Sequence, residues 1–323
     1  MCTRVLWNSN NLGVLVGRTM DWPESTEPTL IVAPRDYQRH GGKAGPEIVI
    51  NENALEWKSR YGSIIVSVYG IGTVDGLNEK GFAANALYLK STELAERDPG
   101  KPGLQIGLWA QYLLDNAASV DEAIRLTREI QLVMVESHGR QATLHLAVED
   151  ASGDSAIMEN IGGELVIHHG PDFRLMTNDP RYEEQLRLLS EQDFSKPSRE
   201  LPIPGNVNPV DRFQRAAYFS ALLPDPHDDR EAAASMLSIM RNVSVPFGAP
   251  YGEFGIYNTE YRTVADLANR RYFFELATTP NLLWAELDRF DLGGGEPVRV
   301  LDPNDITLNG EVSDQFKPAE IAF

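Results

Sequence analysis

Residues 1–22 are MCTRVLWNSNNLGVLVGRTMDW, and this stretch decides the fold because its alternation predicts a β-hairpin. Residues 2–8 and 14–20 are rich in Val, Leu, Thr and Trp, and they flank the turn-forming residues NSNNLG. If the turn centres near Asn10, the numbers of opposing residues sum to about 20, which places Arg18 across from Cys2 with Cβ atoms about 5 Å apart. Asp21 follows just past the strand end. The hairpin therefore predicts a positively charged and a negatively charged side chain beside Cys2.

Cys2 is the single cysteine among 323 residues. Methionine is commonly removed before a small second residue, so Cys2 is expected to become the first residue, with a thiol and a free α-amine on one carbon. Such an amine titrates near pH 8 and can accept the thiol proton. Arg18 would favour the thiolate, and Asp21 could hold the α-ammonium. The pattern predicts an N-terminal nucleophile; the alternative is a small buried apolar cysteine.

The charge balance restricts the partners of this protein. With 47 acidic and 29 basic residues the net charge is -18, which disfavours nucleic acid and anionic membranes. No apolar run approaches the roughly 20 residues of a membrane span, and the first residues do not form a secretory signal. As written, the sequence is expected to be soluble and cytoplasmic, or periplasmic if a signal peptide has been removed. Six histidines show no metal-site spacing, so no metal or other cofactor is expected. They are His40, His138, His145, His168, His169 and His227.

The remaining patterns predict an α+β protein with one domain over residues 1–323. The clearest helix spans residues 119–130, where Ser119 and Glu122 form a capping box. Further helices are expected at 103–117, 179–192, 210–223 and 229–242. Strands are expected at 61–70, 81–89, 142–150, 155–163, 164–169, 271–279 and 281–290. Residues 193–210, rich in proline, predict a long functional surface loop within that domain.

Several ordered motifs carry a resemblance that covers most of the chain. They are MCTRVLW and GRTMDW near the start, LEWKSRYGSIIVSVYG, DGLNEKGFAANALYL, LMTNDPRY, VDRFQRAAY, VSVPFGAP and YRTVADLANRRYFFE. Together they resemble the choloylglycine hydrolase family of Ntn-hydrolases, which includes penicillin V acylases and bile salt hydrolases. The resemblance implies a four-layer αββα sandwich with two antiparallel sheets between helical layers, and a homotetramer.

The resemblance also implies roles for individual residues. Cys2 would attack a linear amide to give a thioester, with its α-amine as the base, and Arg18 and Asp21 match the positions beside the nucleophile. Asn178 matches an asparagine that donates to the oxyanion, with a backbone N–H near Tyr88 as a second donor. Arg212 matches an arginine that supports charge in the site. From the local sequence alone, Asn178 is better explained as a turn or helix cap and Arg212 as a basic residue at a helix start.

The substrate is expected to be a small molecule with an apolar acyl group. Tyr88 stands where penicillin V acylases of this family often have tyrosine and bile salt hydrolases tend to have asparagine, and Trp22 is expected to line the same pocket. The stretch between Asn178 and Arg212 is shorter than in bile salt hydrolases, which favours the Gram-negative branch that cleaves penicillin V and N-acyl homoserine lactones. The alternatives are a conjugated bile salt hydrolase and a homologue that binds ligand without turnover.

Overall fold

The first 22 residues form the predicted hairpin. In the computed structural model, which describes residues 1–137, 139–250, 255–279 and 281–323, strand β1 spans Cys2–Trp7 and strand β2 spans Leu15–Trp22. Side chains alternate between two buried faces along both strands, so neither face meets solvent. Gly17 faces a helix so closely that an added Cβ would lie 2.7 Å from Cγ of Met240. The hairpin is therefore a central element of the fold.

The other strands follow along the chain. Before the first helix lie β3 Thr29–Ala33, β4 Gln38–His40, β5 Lys43–Ala44, β6 Glu47–Ile48, β7 Glu56–Lys58, β8 Ser63–Val68, β9 Gly72–Asn78, β10 Ala83–Tyr88 and β11 Gly103–Gln105. The middle of the chain contains β12 Gln131–Val133, β13 Glu136–Ser137, β14 Arg140–Gln141, β15 Leu144–Glu149, β16 Ser155–Ile161, β17 Glu164–His169 and β18 Leu175–Met176. The last third contains β19 Ala249–Pro250, β20 Ile256–Asp266, β21 Arg271–Leu276, β22 Leu283–Glu286, β23 Arg299–Leu301, β24 Gly310–Glu311 and β25 Lys317–Pro318.

Most strands belong to two large sheets. Sheet A has the order β18-β1-β2-β20-β21-β22-β24, with β19 paired to β20, and sheet B has the order β17-β16-β15-β10-β9-β8-β3-β23-β25. The sheets are antiparallel as expected, except that β22 and β24 run parallel. Strands from both ends of the chain therefore complete each sheet.

In the described ranges, five α-helices pack on the sheets or on one another. They are α1 Trp109–Asn116, α2 Val120–Glu129, α3 Tyr182–Ser190, α4 Pro209–Ser220 and α5 Asp229–Asn242. One apolar core lies between the sheets, a second joins sheet B to α1 and α2, and a third joins sheet A to α5 and α4. Representative side chains of the three cores are Leu6 and Ile64, Ile65 and Trp109, and Leu15 and Met236. The architecture is the predicted αββα sandwich.

Helix α2 shows how local sequence fixes an element. Ser119 caps its N-terminus by accepting the Glu122 N–H at 3.3 Å, as predicted. The return bond of the capping box differs, because the Glu122 carboxylate accepts the N–H of Ala118 at 2.8 Å. The helix expected over residues 103–117 was wrong at its start, since Gly103–Gln105 pairs as a strand with Gln131–Val133.

Residues 193–208 contain neither helix nor strand, which agrees with the predicted loop, and most of them are exposed. In the described ranges, every helix is too short or too polar to cross a bilayer.

Candidate active site

The sulfur of Cys2 lies inside the sandwich, beside one cation and one thioether. Cys2 is 2% exposed, and its Sγ lies 3.5 Å from Nη2 of Arg18 and 3.7 Å from Sδ of Met20. All three residues belong to the β1–β2 hairpin and point toward the space between the sheets. A guanidinium therefore lies next to the sulfur.

Arg18 is held by groups that lie far from it in the sequence. Its Nη1 donates to the Asp75 carboxylate and to the Tyr261 hydroxyl at 2.9 Å, and its Nη2 donates to the Ala86 carbonyl at 3.3 Å. Burial favours loss of the Arg18 proton, but Tyr261, Cys2 and Asp75 outweigh it and raise the pKa of Arg18. Burial raises the pKa of Asp75, which the positive charge of Arg18 opposes. The cation therefore remains charged and fixed beside the sulfur.

The predicted register of the hairpin was wrong by two residues. Cys2 lies opposite Met20, and Arg18 lies opposite Arg4, so opposing numbers sum to 22. The loop is longer than expected because the Asn10 side chain closes it, accepting the N–H groups of Leu12 and Gly13 and donating to the Trp7 and Gly13 carbonyls. A shift of two residues preserves the face of each side chain. Arg18 therefore still reaches Cys2, as a diagonal neighbour.

The backbone of Cys2 is held by a second group of side chains. Its N–H donates to Oδ1 of Asn178 at 2.6 Å, and its carbonyl accepts Nη1 of Arg212 at 2.6 Å. Nη2 of Arg212 also donates to Oδ1 of Asn178 at 2.9 Å, while Nδ2 of Asn178 donates to the Tyr88 carbonyl at 2.6 Å. Asn178 is thus not a helix cap: the cap residues of α3 and α4 are Arg181 and Asn208. Strand β18 and helix α4 meet at strand β1, which carries Cys2.

Asp21 lies inside β2, not past its end, at a point where the pairing with β20 is irregular. Its carboxylate accepts the hydroxyls of Thr259 at 2.5 Å and Thr19 at 3.1 Å, and it lies 3.4 Å from Nη1 of Arg212. The Met1 ammonium donates to the backbone carbonyl of Asp21, while the Asp21 N–H donates to the Met1 carbonyl at 2.6 Å. The ammonium of this chain thus contacts the Asp21 backbone. Burial lowers the pKa of that ammonium.

A cavity of about 150 Å³ opens from the sulfur of Cys2 between the sheets, and its wall is largely apolar. Trp22 and Tyr88, both predicted for the pocket, line it with ring centroids 5.6 Å apart. Trp22 Nε1 donates to the Tyr69 hydroxyl at 3.0 Å, and burial raises the pKa of Tyr69 to about 12. The cavity does not include Asp21, Asn178 or Arg212. The candidate site therefore has an apolar side, which faces the sulfur of Cys2, and a polar side, which faces the backbone nitrogen of Cys2.

None of the described histidines lines the cavity or is hydrogen-bonded to Cys2. His145 is buried and bonded to Glu159 at 2.9 Å and to the Thr177 carbonyl at 2.8 Å, and His138 lies outside the described residues. Among the residues that the structure describes, no group of three or more His, Cys, Asp and Glu side chains could hold a metal ion.

Comparison with known proteins decides the family. The model of linear amide C–N hydrolases of the choloylglycine hydrolase family matches residues 2–306. The chain belongs to the choloylglycine hydrolase family. It is therefore a hydrolase, and the position of Cys2 fits an N-terminal nucleophile.

Individual relatives of this choloylglycine hydrolase family member cover nearly the whole chain. A penicillin V acylase from Pectobacterium atrosepticum is 38% identical over 95% of this chain and 86% of the relative. The solved penicillin V acylase from Agrobacterium tumefaciens is 39% identical with a TM-score of 0.89, covering 99% of this chain and 98% of that one. A bile salt hydrolase/transferase from Bifidobacterium longum is 24% identical over 93% of this chain and 99% of the relative.

Three residues beside the site were missed by the sequence analysis. Asp75 and Tyr261 hold Arg18, and Thr259 holds Asp21. Alternation could have indicated that Asp75 is buried, because it lies in the strand-like run GTVDGLN. No local signal connects Tyr261 or Thr259 to the hairpin, since β20 lies more than 230 residues further along the chain.

Proposed function

We propose that the protein hydrolyses N-acyl amides with a small aromatic or aliphatic acyl group, as a penicillin V acylase does, and that N-acyl homoserine lactones are a second substrate type. The observation that carries this proposal is the position of the Cys2 sulfur at an apolar cavity of about 150 Å³. An apolar cavity of this size is known to hold one benzene ring. It suits a phenoxyacetyl group better than the four fused rings of a bile acid.

Removal of Met1 starts the proposed mechanism. The freed α-amine of Cys2 takes the thiol proton, and the thiolate adds to the substrate carbonyl. Oδ1 of Asn178, which accepts the Cys2 N–H at 2.6 Å, would hold the amine. Arg18 supports the charge on sulfur, and the buried charges of Asp21 and Arg212 fix the nucleophile-bearing strand.

The reaction then proceeds through a thioester. The oxyanion receives a hydrogen bond from the second N–H of Nδ2 of Asn178, since the first donates to the Tyr88 carbonyl. The carbon–nitrogen bond breaks as the α-ammonium passes its proton to the leaving nitrogen. Water, deprotonated by the α-amine, attacks the thioester and releases a carboxylic acid and the thiol. Trp22 and Tyr88 contact the acyl group throughout.

Intact-mass spectrometry tests the nucleophile directly. The purified protein should lack Met1, and a slowly hydrolysed amide should leave an acyl adduct on the wild type but not on Cys2→Ala. Cys2→Ser should still lose Met1 but hydrolyse more slowly, because an alcohol ionises less readily than a thiol. Activity with Met1 retained, or an adduct on Cys2→Ala, would refute the mechanism.

Catalytic efficiency on three substrates tests the acyl preference. We expect penicillin V and a medium-chain N-acyl homoserine lactone to exceed glycine-conjugated bile salt in kcat/KM. The reverse order would assign the protein to bile salt hydrolysis. We also propose a homotetramer, and light scattering on a sizing column should give four times the chain mass of 35.9 kDa.

A further inference from the structure

Met1 occupies a defined place beside the active site. Met1 is 4% exposed, and it packs in a small apolar cluster with Val245, Ala249 and Tyr257, against which Val207 and Tyr88 also pack. Its main chain exchanges two hydrogen bonds with Asp21, one in each direction, as residues of paired strands do. Met1 thus fills both an apolar hollow and a backbone-binding position.

Removal of Met1, which the proposed function requires, vacates this place. The buried N–H of Asp21 loses the carbonyl that it contacts at 2.6 Å, and the Asp21 carbonyl loses its donor. A buried donor without a partner is costly, so water or a ligand must replace the lost carbonyl. The side chains of Val207, Val245, Ala249 and Tyr257 carry no charge, and they leave an apolar wall next to this donor.

The chemistry of the reaction determines on which side of Cys2 each half of the substrate lies. The acyl half must lie on the sulfur side of Cys2, where the 150 Å³ cavity opens. The leaving nitrogen must come within hydrogen-bond reach of the Cys2 α-amine, which donates its proton. That amine lies where Met1 was attached. Tyr88 borders both spaces, since it lines the acyl cavity and packs against the Met1 cluster. The two halves of the substrate therefore lie on opposite sides of Cys2.

We propose that the place vacated by Met1 is the leaving-group subsite, and that it selects amines carrying an uncharged carbonyl on the α-carbon and an apolar body. The α-carbonyl takes the Asp21 N–H in place of the Met1 carbonyl. The apolar body packs on Val245, Ala249 and Tyr257. A carboxylate in the same position is disfavoured, because the wall is uncharged, the Asp21 carboxylate repels it, and the Arg212 guanidinium is already paired with Asp21.

Three amides that share a phenoxyacetyl group test this subsite on the unaltered enzyme. The amines are methioninamide, 3-(methylthio)propylamine, which lacks the α-carbonyl, and methionine with its free carboxylate. We expect kcat/KM to be highest for methioninamide and about tenfold lower for each of the others, the size of one lost or mispaired hydrogen bond. Equal values for methioninamide and the propylamine would overturn the subsite.

Two substitutions separate this subsite from the acyl cavity. Ala249→Leu should reduce the preference for phenoxyacetyl-methioninamide over phenoxyacetyl-glycinamide about tenfold, because the larger side chain fills the hollow. Val245→Ala should also reduce that preference, because it removes two methyl groups on which the apolar body packs. The matched control, Val68→Phe, narrows the acyl cavity and should change the preference among acyl groups but not among amines.

The outcomes distinguish the inference from the function on which it rests. If Met1 is absent and acyl adducts form, but amine preference is unchanged by Ala249→Leu and Val245→Ala, the subsite is refuted and the hydrolytic mechanism stands. If Met1 is retained in active protein, both fail. The subsite is supported if the preference among leaving amines changes in Ala249→Leu and does not change in Val68→Phe.

Discussion

Replacing Asp75 with asparagine isolates the charge that holds Arg18. The two side chains are at most 2% exposed, and asparagine keeps an oxygen for Arg18 while it removes the negative charge. With charge centres about 4 Å apart and an effective dielectric constant of about 20, the lost attraction is about 4 kcal/mol. Removing one partner of a buried pair costs about 3–5 kcal/mol in measured cases. Asp75→Asn should therefore reduce the free energy of unfolding by about 4 kcal/mol.

Urea unfolding of the purified protein, monitored by fluorescence and circular dichroism, measures this loss. The matched control is Glu79→Gln, the same chemical change in an ion pair whose Arg35 partner is 49% exposed. An exposed pair contributes less than about 1 kcal/mol, so the control should change little. A loss below about 1 kcal/mol for Asp75→Asn, equal to that of the control, would refute the argument that the buried charge of Asp75 stabilises the protein by compensating Arg18.

Further predictions concern the proposed oxyanion donor Asn178, the phenol of Tyr257 and the close contact at Gly17. Asn178→Ala should lower kcat about 100-fold to 1,000-fold with unchanged circular dichroism; a loss below tenfold would contradict an oxyanion role. Burial raises the pKa of Tyr257 to about 12, so its stabilising contribution is present below about pH 10 and is lost as the pH rises through about 12. Absorbance titration of tyrosinate should show a late phase that is smaller by one tyrosine in Tyr257→Phe than in the wild type, because burial also raises the pKa of Tyr69 to about 12. Gly17→Ala brings a methyl group 2.7 Å from Cγ of Met240 and should cost about 1 kcal/mol in thermal unfolding, since methionine can shift; an unchanged midpoint would contradict the contact.

The features that were predicted correctly from the sequence are those that neighbouring residues determine. The hairpin, the cap at Ser119 and the loop over 193–208 follow from alternation, a capping side chain and prolines. The register of the hairpin did not follow, because the four hydrogen bonds of Asn10 lengthen the turn. The face of the hairpin on which Arg18 lies was nevertheless predicted correctly. Side chains alternate between the two faces of a strand, so a register shift of two residues leaves each side chain on the same face.

Long-range partners could not be read from local patterns. Strand β20, the neighbour of β2, was not predicted, because TEYRT mixes polar and aromatic residues that become buried only against the hairpin. The pairing of Arg18 with Asp75 joins residues 57 positions apart. The resemblance to a family placed Asn178 and Arg212 near Cys2, whereas local sequence favoured ordinary structural roles for both. Tertiary packing, rather than propensity, brings these groups together.

The exposed loop over 193–208 divides the chain into two parts, and neither part can complete a sheet alone. The first part contains Cys2, Arg18 and Asn178, while the second contains Arg212, Thr259 and Tyr261. A protein expressed as two fragments divided at this loop would therefore be inactive until the fragments associate. Hydrolysis of a chromogenic amide would then report their association, which makes the fold a natural candidate for a split-enzyme sensor.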